Sequence, residues 1–400
     1  MSPVRDHWPD GGVPRGLGRG TGPLRGVRVV ELASIGPGPH AAMTLADLGA
    51  DVIRIERPEG TLAAMDRDKD VLTRGRPSVA MDLKDPRAAA VVLDLVEGAD
   101  VLLEGMRPGA AERLGLGPEH CLARNPRLVY GRMTGWGQDG PLAPTAGHDI
   151  DYIAVSGVLH GLGRAGGPPQ VPQNLLGDFG GGSAYLVIGV LAALLAARSS
   201  GEGQVVDASI VDGTAHLGAM LASLIAGGVW REERGTNLLD SGAPFYDVYE
   251  TSDGRHMAVG AIEPPFYAEL VDRLDLAEHA PDRDDPRNWP ALREALAARF
   301  RERSQAEWAR VFEGSDACVA PVLPLTEAAR HPHLVARHTY LERDGVLQPA
   351  PAPRFSRTPA TLGTPPSVPG EHSRQALQAG GVDGVDRLIA DGIVVEAGTG

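Results

Sequence analysis

In the first third of the chain, short apolar runs alternate with stretches whose apolar positions follow helical spacing. The runs predict strands at residues 27–32, 51–56, 78–83, 100–104 and 127–132. The stretches at 40–48 and 87–96 predict helices, which end near Gly49 and Gly98. This alternation is typical of a mostly parallel sheet covered by helices, an α/β fold. Ligands of such sheets bind at the carboxyl ends of strands, so we look first at Gly36, Arg57, Gly105 and Thr134.

The pattern changes after about residue 230 and predicts a smaller α+β domain. Residues 245–249 and 256–260 predict a β-hairpin that turns at Asp253-Gly254. Helices are expected near 265–274, 290–301 and 305–312. Proline-rich residues 345–370 predict an extended connection, and two weak helices follow at 374–379 and 385–390. The longest apolar run, 184–197, is too short to span a bilayer and predicts a buried core helix.

Composition narrows the function classes. A length of 400 residues favours two domains, and the net charge of −14 argues against binding to nucleic acid or to an anionic membrane. Two cysteines, Cys121 and Cys318, cannot form a disulfide framework, which suits a reducing compartment. The first 23 residues lack the apolar segment of a signal peptide and predict a disordered tail. We therefore expect a cytoplasmic protein.

Metal and nucleotide motifs are weak or missing in the sequence. It contains no Cys-x-x-Cys, no His-x-x-x-His and no calcium-loop pattern, so we expect no metal. Gly36 and Gly38 resemble half of a dinucleotide fingerprint. However, Pro37 and Pro39 remove N–H donors that a pyrophosphate would need.

The strongest candidates for chemistry are His148 and Asp178, thirty positions apart in a glycine-rich stretch. Imidazole and carboxylate groups carry protons near neutral pH, so the two residues would form a two-base site if they face each other. The alternatives are a structural loop histidine and an aspartate that caps a helix N-terminus. Glu263, in an apolar setting where an unpaired carboxylate would be costly, is a third candidate.

Basic residues follow several predicted strands and could hold a phosphorylated group, although a solvated surface would explain them too. The residues that come after strands are Arg57, Lys84, Arg107 and Arg113, and two more, Arg74 and Arg76, come just before the third strand. The residues alone support a proton-transfer or acyl-transfer site in a two-domain α/β protein.

Motifs spread from about Pro23 to Pro369 resemble the type III coenzyme A transferase (CaiB/BaiF-like) superfamily, and within it the α-methylacyl-CoA racemase branch. The segments that carry the resemblance are 24–32, 46–58, 81–84, 107–109, 147–150, 174–179, 242–246 and 258–264. Each segment alone would be weak evidence, but their number and order make the match specific.

The resemblance implies a large Rossmann-like domain built from both chain ends, a small α+β domain and an interlocked homodimer. The expected segments are a disordered tail at 1–23, the large domain at 24–215, a linker at 216–235, the small domain at 236–330, an extended linker at 331–370 and a segment at 371–400 that returns to the large domain. CoA belongs to the substrate, and no separate cofactor is expected. The expected CoA contacts are Arg57, Met81, Asp82, Leu83, Lys84, Gly105, Met106, Arg107, Arg113, Gly147, Asp149 and Tyr152.

The resemblance also implies an activity, the interconversion of (R)- and (S)-2-methylacyl-CoA thioesters through an enolate. His148 and Asp178 would exchange protons on opposite faces of the α-carbon. Backbone N–H groups after Gly177 would stabilise the oxyanion. Glu263, contributed by the partner chain, would orient His148. One alternative is a type III CoA-transferase that uses Asp178 as its nucleophile, although His148 favours the racemase. The other is a CoA-binding scaffold without activity.

Overall fold

The computed structural model describes residues 17, 20–60 and 66–398. The strands in this part of the chain are β1 (Arg28–Leu32), β2 (Asp51–Glu56), β3 (Ser78–Met81), β4 (Val101–Glu104), β5 (Val129–Thr134), β6 (Gln204–Ser209), β7 (Tyr246–Glu250), β8 (His256–Gly260), β9 (Val319–Pro321), β10 (Tyr340–Arg343), β11 (Val346–Pro349) and β12 (Val394–Val395).

The α-helices are α1 (Pro37–Asp47), α2 (Pro86–Gly98), α3 (Ala110–Arg113), α4 (Pro118–Arg124), α5 (Asp149–Val155), α6 (Ala184–Ser200), α7 (Ile210–Leu217), α8 (Ala219–Ala226), α9 (Pro264–Arg273), α10 (Trp289–Phe300), α11 (Gln305–Val311), α12 (Leu325–Ala328), α13 (Pro332–Ala336), α14 (Ser373–Ala379) and α15 (Val385–Ala390). Short 3₁₀ turns occur at Arg67–Lys69, Val71–Thr73, Leu159–Gly161 and Pro286–Asn288, and a π-helical segment spans Leu175–Ser183. The predicted helices and hairpin are confirmed, with boundaries that move by a few residues.

Seven strands form one sheet in the order β12-β3-β2-β1-β4-β5-β6. Neighbouring strands are parallel except β12, which runs antiparallel to β3 with Val394 opposite Met81. This confirms the predicted mostly parallel sheet. The strand order reverses between β1 and β4, so the loops that follow these two strands leave in opposite directions. Such a switch point leaves a crevice at the carboxyl ends of the strands.

Both faces of this sheet are covered, so nearly every position of its central strands is buried. One face packs under α2, α4 and α14, where Val92, Cys121 and Leu377 are fully buried. The other face packs under α1 and α6, through residues such as Leu45 and Val190. The two core layers hold the strand ends rigidly at the crevice.

The π-helical segment and α6 form one continuous apolar helix, Leu175–Ser200, of 26 residues. It is longer than the 14-residue run in the sequence because the glycine-rich stretch before that run is helical too. By length and composition alone this helix could cross a membrane, as could the core helix of a globular protein. Its buried residues, including Leu186 and Val190, pack in the core of the parallel sheet.

The π-helical segment lies unusually close to α7. A Cβ atom on Gly213 would lie 1.8 Å from the backbone O of Gly181, and one on Gly181 would lie 2.3 Å from Thr214 Oγ1. Two backbones at this separation leave no room for any side chain. The glycines in this stretch therefore serve close packing rather than a flexible loop.

Gly213→Ala is expected to destabilise the protein by about 1–3 kcal/mol, because the added methyl group must push the two backbones apart. Chemical denaturation would measure the loss as a lower unfolding midpoint. Gly161→Ala is the matched control, since a Cβ there meets nothing within 4 Å. Equal stability of the two variants would contradict the close packing described here.

The chain divides into two compact units. Among the described residues, the first comprises those within 1–156, 173–217 and 338–398, and the second comprises 157–172 and 218–337. The second unit contains an antiparallel sheet, β7-β8-β9, whose side chains pack with α9, α10 and α11. Its core includes Phe300 and Trp308, both fully buried.

The segment boundaries differ from those expected. Residues 157–172 belong to the second unit, the stretch 216–235 contains α8, and 331–370 contains the β10–β11 hairpin. The tail expected at 1–23 lies mostly outside the described residues. Within it, Leu17 is buried in the core of the first unit. Residues 371–398 lie in the first unit, where β12 adds an edge strand to the sheet.

Candidate active site

A cavity of about 500 Å³ opens in the first unit at the carboxyl ends of β1, β4 and β5. Its wall includes Gly36 after β1, Arg107 after β4 and Trp136 after β5. His148 and Asp178 both line it. The fold therefore brings the two predicted proton carriers to one cavity.

His148 is placed by its backbone neighbours. It is the N-cap residue of α5, and its backbone N–H donates to the Asp151 carboxylate at 2.9 Å. The residue before it, Gly147, accepts a hydrogen bond from the Tyr152 hydroxyl at 2.5 Å. The Tyr152 ring in turn packs edge-on against Trp136. These contacts fix the turn that presents an exposed imidazole to the cavity.

Asp178 lies within the π-helical segment and is half-buried. Its Oδ2 accepts a hydrogen bond from Asn174 Nδ2 at 3.2 Å. Burial raises the pKa of Asp178, and the Asp149 carboxylate raises it further, whereas Asn174 and the His148 imidazole act in the opposite direction. A carboxyl whose pKa is raised toward neutrality can both accept a proton and return one.

Asp149 was expected to contact CoA, but the structure places it outside the lining of both cavities. It is buried. It lines neither the His148–Asp178 cavity nor the second, cation-lined cavity described below. Its Oδ1 accepts a hydrogen bond from the Asp178 backbone N–H at 2.6 Å. Its Oδ2 has no hydrogen-bond partner among the described residues. A Cβ on Gly177 would lie 2.4 Å from Oδ1, so the glycine lets the two segments approach. Asp149 supports the turn that carries Asp178.

The predicted oxyanion donors after Gly177 are already engaged. The Asp178 N–H donates to Asp149, and the Phe179 N–H donates to the backbone O of Asn174 at 3.3 Å. The expectation was wrong because the helix begins at Leu175, with Asn174 as its N-cap, rather than after Gly177. For the same reason Asp178 is not a helix cap.

A second cavity, of about 580 Å³, lies at the carboxyl ends of β2 and β3 and beside α3. Four cations line it: Arg57, Lys84, Arg107 and Arg113. None of them forms an ion pair with any residue in the described ranges, although the protein carries a net charge of −14. Unpaired cations gathered around one cavity suit an anionic ligand, such as a phosphorylated one.

The two cavities share Met106 and Arg107 as lining residues. The segment Met81–Lys84 lines the cation-lined cavity, where the Lys84 N–H donates to the Asp82 carboxylate at 3.0 Å. Gly105 lines the His148–Asp178 cavity. A Cβ there would lie 2.7 Å from Ser34 Oγ, so glycine lets the loops after β1 and β4 approach. One ligand could thus extend from the cations to the two proton carriers.

Arg74 and Arg76 do not take part in this cation cluster. Both are buried, Arg74 against the Asp47 carboxylate and Arg76 against Glu31 at 2.7 Å. Neither lines the cation-lined cavity. Their charges are structural. They belong neither to a solvated surface nor to a site for a phosphorylated group, the two alternatives that the sequence left open.

Glu263 lies in the second unit as the N-cap residue of α9. It is exposed, so the desolvation cost that drew attention to it in the sequence does not arise. Its charge contributes to a raised pKa of the Cys318 thiol, whose main cause is burial. Its expected place beside His148 of the other chain stays a prediction.

Sequence reasoning did not connect Gly36 or Asn174 with the Asp178 carboxylate. Gly36, at φ +67°, places its backbone so close to the carboxylate that a Cβ would lie 3.1 Å from Asp178 Oδ2. Asn174 bonds the same carboxylate. The segment Gly36–Pro39 was considered as a partial nucleotide motif, but nothing in the sequence connects Gly36 with a residue 142 positions away (178 − 36 = 142).

The fold and site together define an α/β protein that places two proton carriers beside a cavity for an extended anionic ligand. The chain belongs to CoA-transferase family III, whose family model matches residues 24–373. It is 46% identical over 359 residues to the alpha-methylacyl-CoA racemase of Mus musculus, across 89% of this chain and 92% of that protein. Identity to the Homo sapiens alpha-methylacyl-CoA racemase is 44% over 361 residues, with the same coverage.

The fold also resembles that of a solved structure. A CaiB/BaiF family protein from Brucella suis superposes with a TM-score of 0.78 at 27% sequence identity. The match covers 90% of this chain and 99% of that one.

Proposed function

We propose that the protein interconverts (R)- and (S)-2-methylacyl-CoA thioesters, as an isomerase that works by 1,1-proton transfer. The observation that carries the proposal is that His148 and Asp178 line one cavity whose wall, Met106 and Arg107, continues into a cation-lined cavity. The names of the mouse and human relatives support the same activity.

The chemistry needs a base and an acid on opposite faces of one carbon. One residue removes the proton at C2 of the thioester, and the C–H electron pair moves toward the carbonyl to form an enolate. The other residue then supplies a proton to the opposite face, so a new C–H bond forms and the centre is inverted. The first residue ends protonated and the second deprotonated. The raised pKa of Asp178 brings its proton affinity toward that of an imidazole, which suits transfer in both directions.

The CoA part of the substrate would bind remotely from the reacting carbon. Arg57, Lys84, Arg107 and Arg113 would neutralise its phosphates, and no separate cofactor is needed. The binding energy of the CoA part can position the thioester, although the residues that bind CoA do not contact the reacting carbon. The substrate would extend past Met106 and Arg107, which line both cavities, so that its thioester lies in the His148–Asp178 cavity.

Exchange of the C2 proton tests the proposal. Incubation of the protein with (S)-2-methylacyl-CoA in deuterated water should place deuterium at C2 and produce the (R) epimer. Transfer of CoA to a free carboxylic acid, without label or inversion, would identify a transferase that uses Asp178 as nucleophile. A rise in melting temperature with CoA, without either reaction, would indicate a binding scaffold.

Lys84→Ala is expected to weaken CoA binding about 5- to 20-fold, because one charge-assisted contact to a phosphate is lost. The maximal exchange rate should change little, since Lys84 lies away from the reacting carbon. Isothermal titration with CoA would measure the affinity. Lys69→Ala, which removes the other lysine of the chain and an exposed pair with Asp68, is the control. An unchanged affinity in the Lys84 variant would remove Lys84 from the CoA site.

We also propose that the protein forms a homodimer. Helix α8 consists of apolar and small residues, yet none of its side chains is buried, and Met220 is 60% exposed. An apolar helix with no buried side chain is unusual in a monomer and favours a partner surface. The interlocked arrangement, with Glu263 reaching the partner's site, remains part of this proposal.

Light scattering after size-exclusion chromatography is expected to give about twice the chain mass of 42.0 kDa. Met220→Glu should shift the population toward monomer, because it places a charge on the apolar helix. Lys69→Glu, a charge change on a polar turn, should leave the mass unchanged. A monomeric wild-type protein would exclude the dimer.

A further inference from the structure

His40 lies against the turn that carries Asp178, although it lines neither the His148–Asp178 cavity nor the cation-lined cavity. It belongs to the first turn of α1, which follows Gly36. Its Nδ1 forms a hydrogen bond with Ser183 Oγ at 2.6 Å. Its ring stacks on the Phe179 ring, with centroids 4.5 Å apart and planes inclined by 22°.

These two contacts hold the π-helical segment at two points. Phe179 follows Asp178 directly, and Ser183 is the last residue of the segment. On its other side the turn is held by Asp149, through the Asp178 N–H. The carboxylate itself lies against the start of α1 at Gly36. Helix α1 therefore contacts the Asp178 turn through both a backbone position and the His40 side chain.

The remaining surroundings of His40 favour the neutral imidazole. Burial lowers the pKa of His40, and the nearby guanidinium groups of Arg74 and Arg76 lower it further. These two cations are neutralised by Asp47 and Glu31, not by His40. A neutral ring can stack on Phe179 and bond Ser183 without introducing a charge beside the Asp178 carboxylate.

We propose that His40 is a positioning residue, which fixes the Asp178 carboxylate at the cavity by holding Phe179 and Ser183. The π-helical segment contains four glycines and has few side chains of its own to fix it. A π-helical turn is also a rare conformation that needs support from its surroundings. His40 supplies that support from a neighbouring helix. The proposal rests on the proton-transfer function proposed above.

Two mild variants remove the hydrogen bond and keep the ring stacking. His40→Phe keeps a stacked ring but loses the hydrogen bond, and Ser183→Ala removes the same bond from the other side. Each is expected to lower kcat for C2 exchange about 10- to 100-fold, since small misplacement of a reacting group is costly. KM should change less than about twofold, because the residues that line the cation-lined cavity are not altered. The double variant should have the same kcat as the single variants, because both substitutions remove the same hydrogen bond.

The pH profile distinguishes positioning from a general loss of structure. In the direction in which Asp178 removes the C2 proton, the acidic limb of kcat/KM reports the pKa of Asp178, since the protonated carboxyl cannot accept a proton. In His40→Ala the turn loosens and water reaches the carboxylate, so its raised pKa falls and the acidic limb moves to lower pH. A merely destabilised protein would lose activity without moving that limb. His120→Phe, on the exposed side of α4, is the control and should match the wild type.

Wild-type kcat in both His40→Phe and Ser183→Ala, or an unmoved acidic limb in His40→Ala, would overturn the proposal. The melting temperature of each variant would show whether it folds. If His40→Phe does not fold, the kcat of Ser183→Ala alone tests the hydrogen bond. Failure of the proposed function would be recognised separately. In that case the wild-type protein shows no exchange, or Asp178→Asn retains it, whatever the His40 variants do.

Discussion

Asp178→Asn is expected to lower the rate of C2 proton exchange about 10²- to 10⁴-fold, the usual contribution of a general acid–base residue. The amide has nearly the same shape as the carboxylate, but it cannot take or return a proton. Its backbone N–H would keep the bond to Asp149, so the turn should stay in place. Deuterium incorporation at C2, measured in both epimeric directions, would give the effect.

The control for this variant is Asp94→Asn, an exposed carboxylate that pairs with Arg124. CoA affinity should be unchanged in Asp178→Asn, because the cation-lined cavity does not include this residue. Exchange at more than about a tenth of the wild-type rate would remove Asp178 from the mechanism.

His148→Ala distinguishes the racemase from the transferase. In the racemase it removes the second proton carrier, and exchange should fall about as much as in Asp178→Asn. In a transferase that uses the Asp178 carboxylate as nucleophile, CoA transfer would persist without the imidazole. Comparison of the two variants in both assays would therefore assign the reaction type.

Asp47→Ala is expected to destabilise the protein by about 3–5 kcal/mol, the cost of leaving one partner of a buried ion pair uncompensated. Arg74 is 1% exposed, and its Nε donates to Asp47 Oδ1 at 3.1 Å. Its remaining acceptors, Gln348 Oε1 and the backbone O of Pro349, are neutral. A buried guanidinium with only neutral partners is poorly stabilised.

Urea denaturation would measure this loss, with the m-value checked so that the midpoint reports stability. Asp94→Ala is the matched control, because its pair with Arg124 is about half exposed and contributes less than about 1 kcal/mol. Similar losses in the two variants would contradict a structural role for the Asp47–Arg74 pair.

The parallel sheet was predictable from the sequence because both of its faces are covered. Strands such as β4, buried at every position, appear as apolar runs in the sequence, here Val101 to Leu103. The edge strands were not found. β6 is largely exposed, and β12 has only two residues, so neither carries a strong apolar pattern. Their places are set by pairing with β5 and β3.

The site was predictable only in part. His148 and Asp178 were identified by residue type, and the resemblance led to the cation-lined cavity. The π-helical turn could not be predicted, because four glycines within nine residues usually indicate a loop. It is imposed by close packing against Gly213 and by Asp149. Arg74 and Arg76 were ambiguous because their carboxylate partners lie 27 and 45 positions away.

The three-part first unit has a consequence for protein synthesis. Residues 338–398 supply α14, with the fully buried Ala376 and Leu377, and the edge strand β12. On the ribosome, β1 to β6 emerge early, then residues 218–337 of the second unit, and only then the segment that completes the cover on one face of the sheet. Until then the nascent sheet has one apolar face that is only partly covered, by α2 and α4, and an unpaired β3 edge, and both are exposed to aggregation. Chains that stop near residue 337 keep all four cations and both proton carriers, yet should be captured by chaperones instead of reaching an active form.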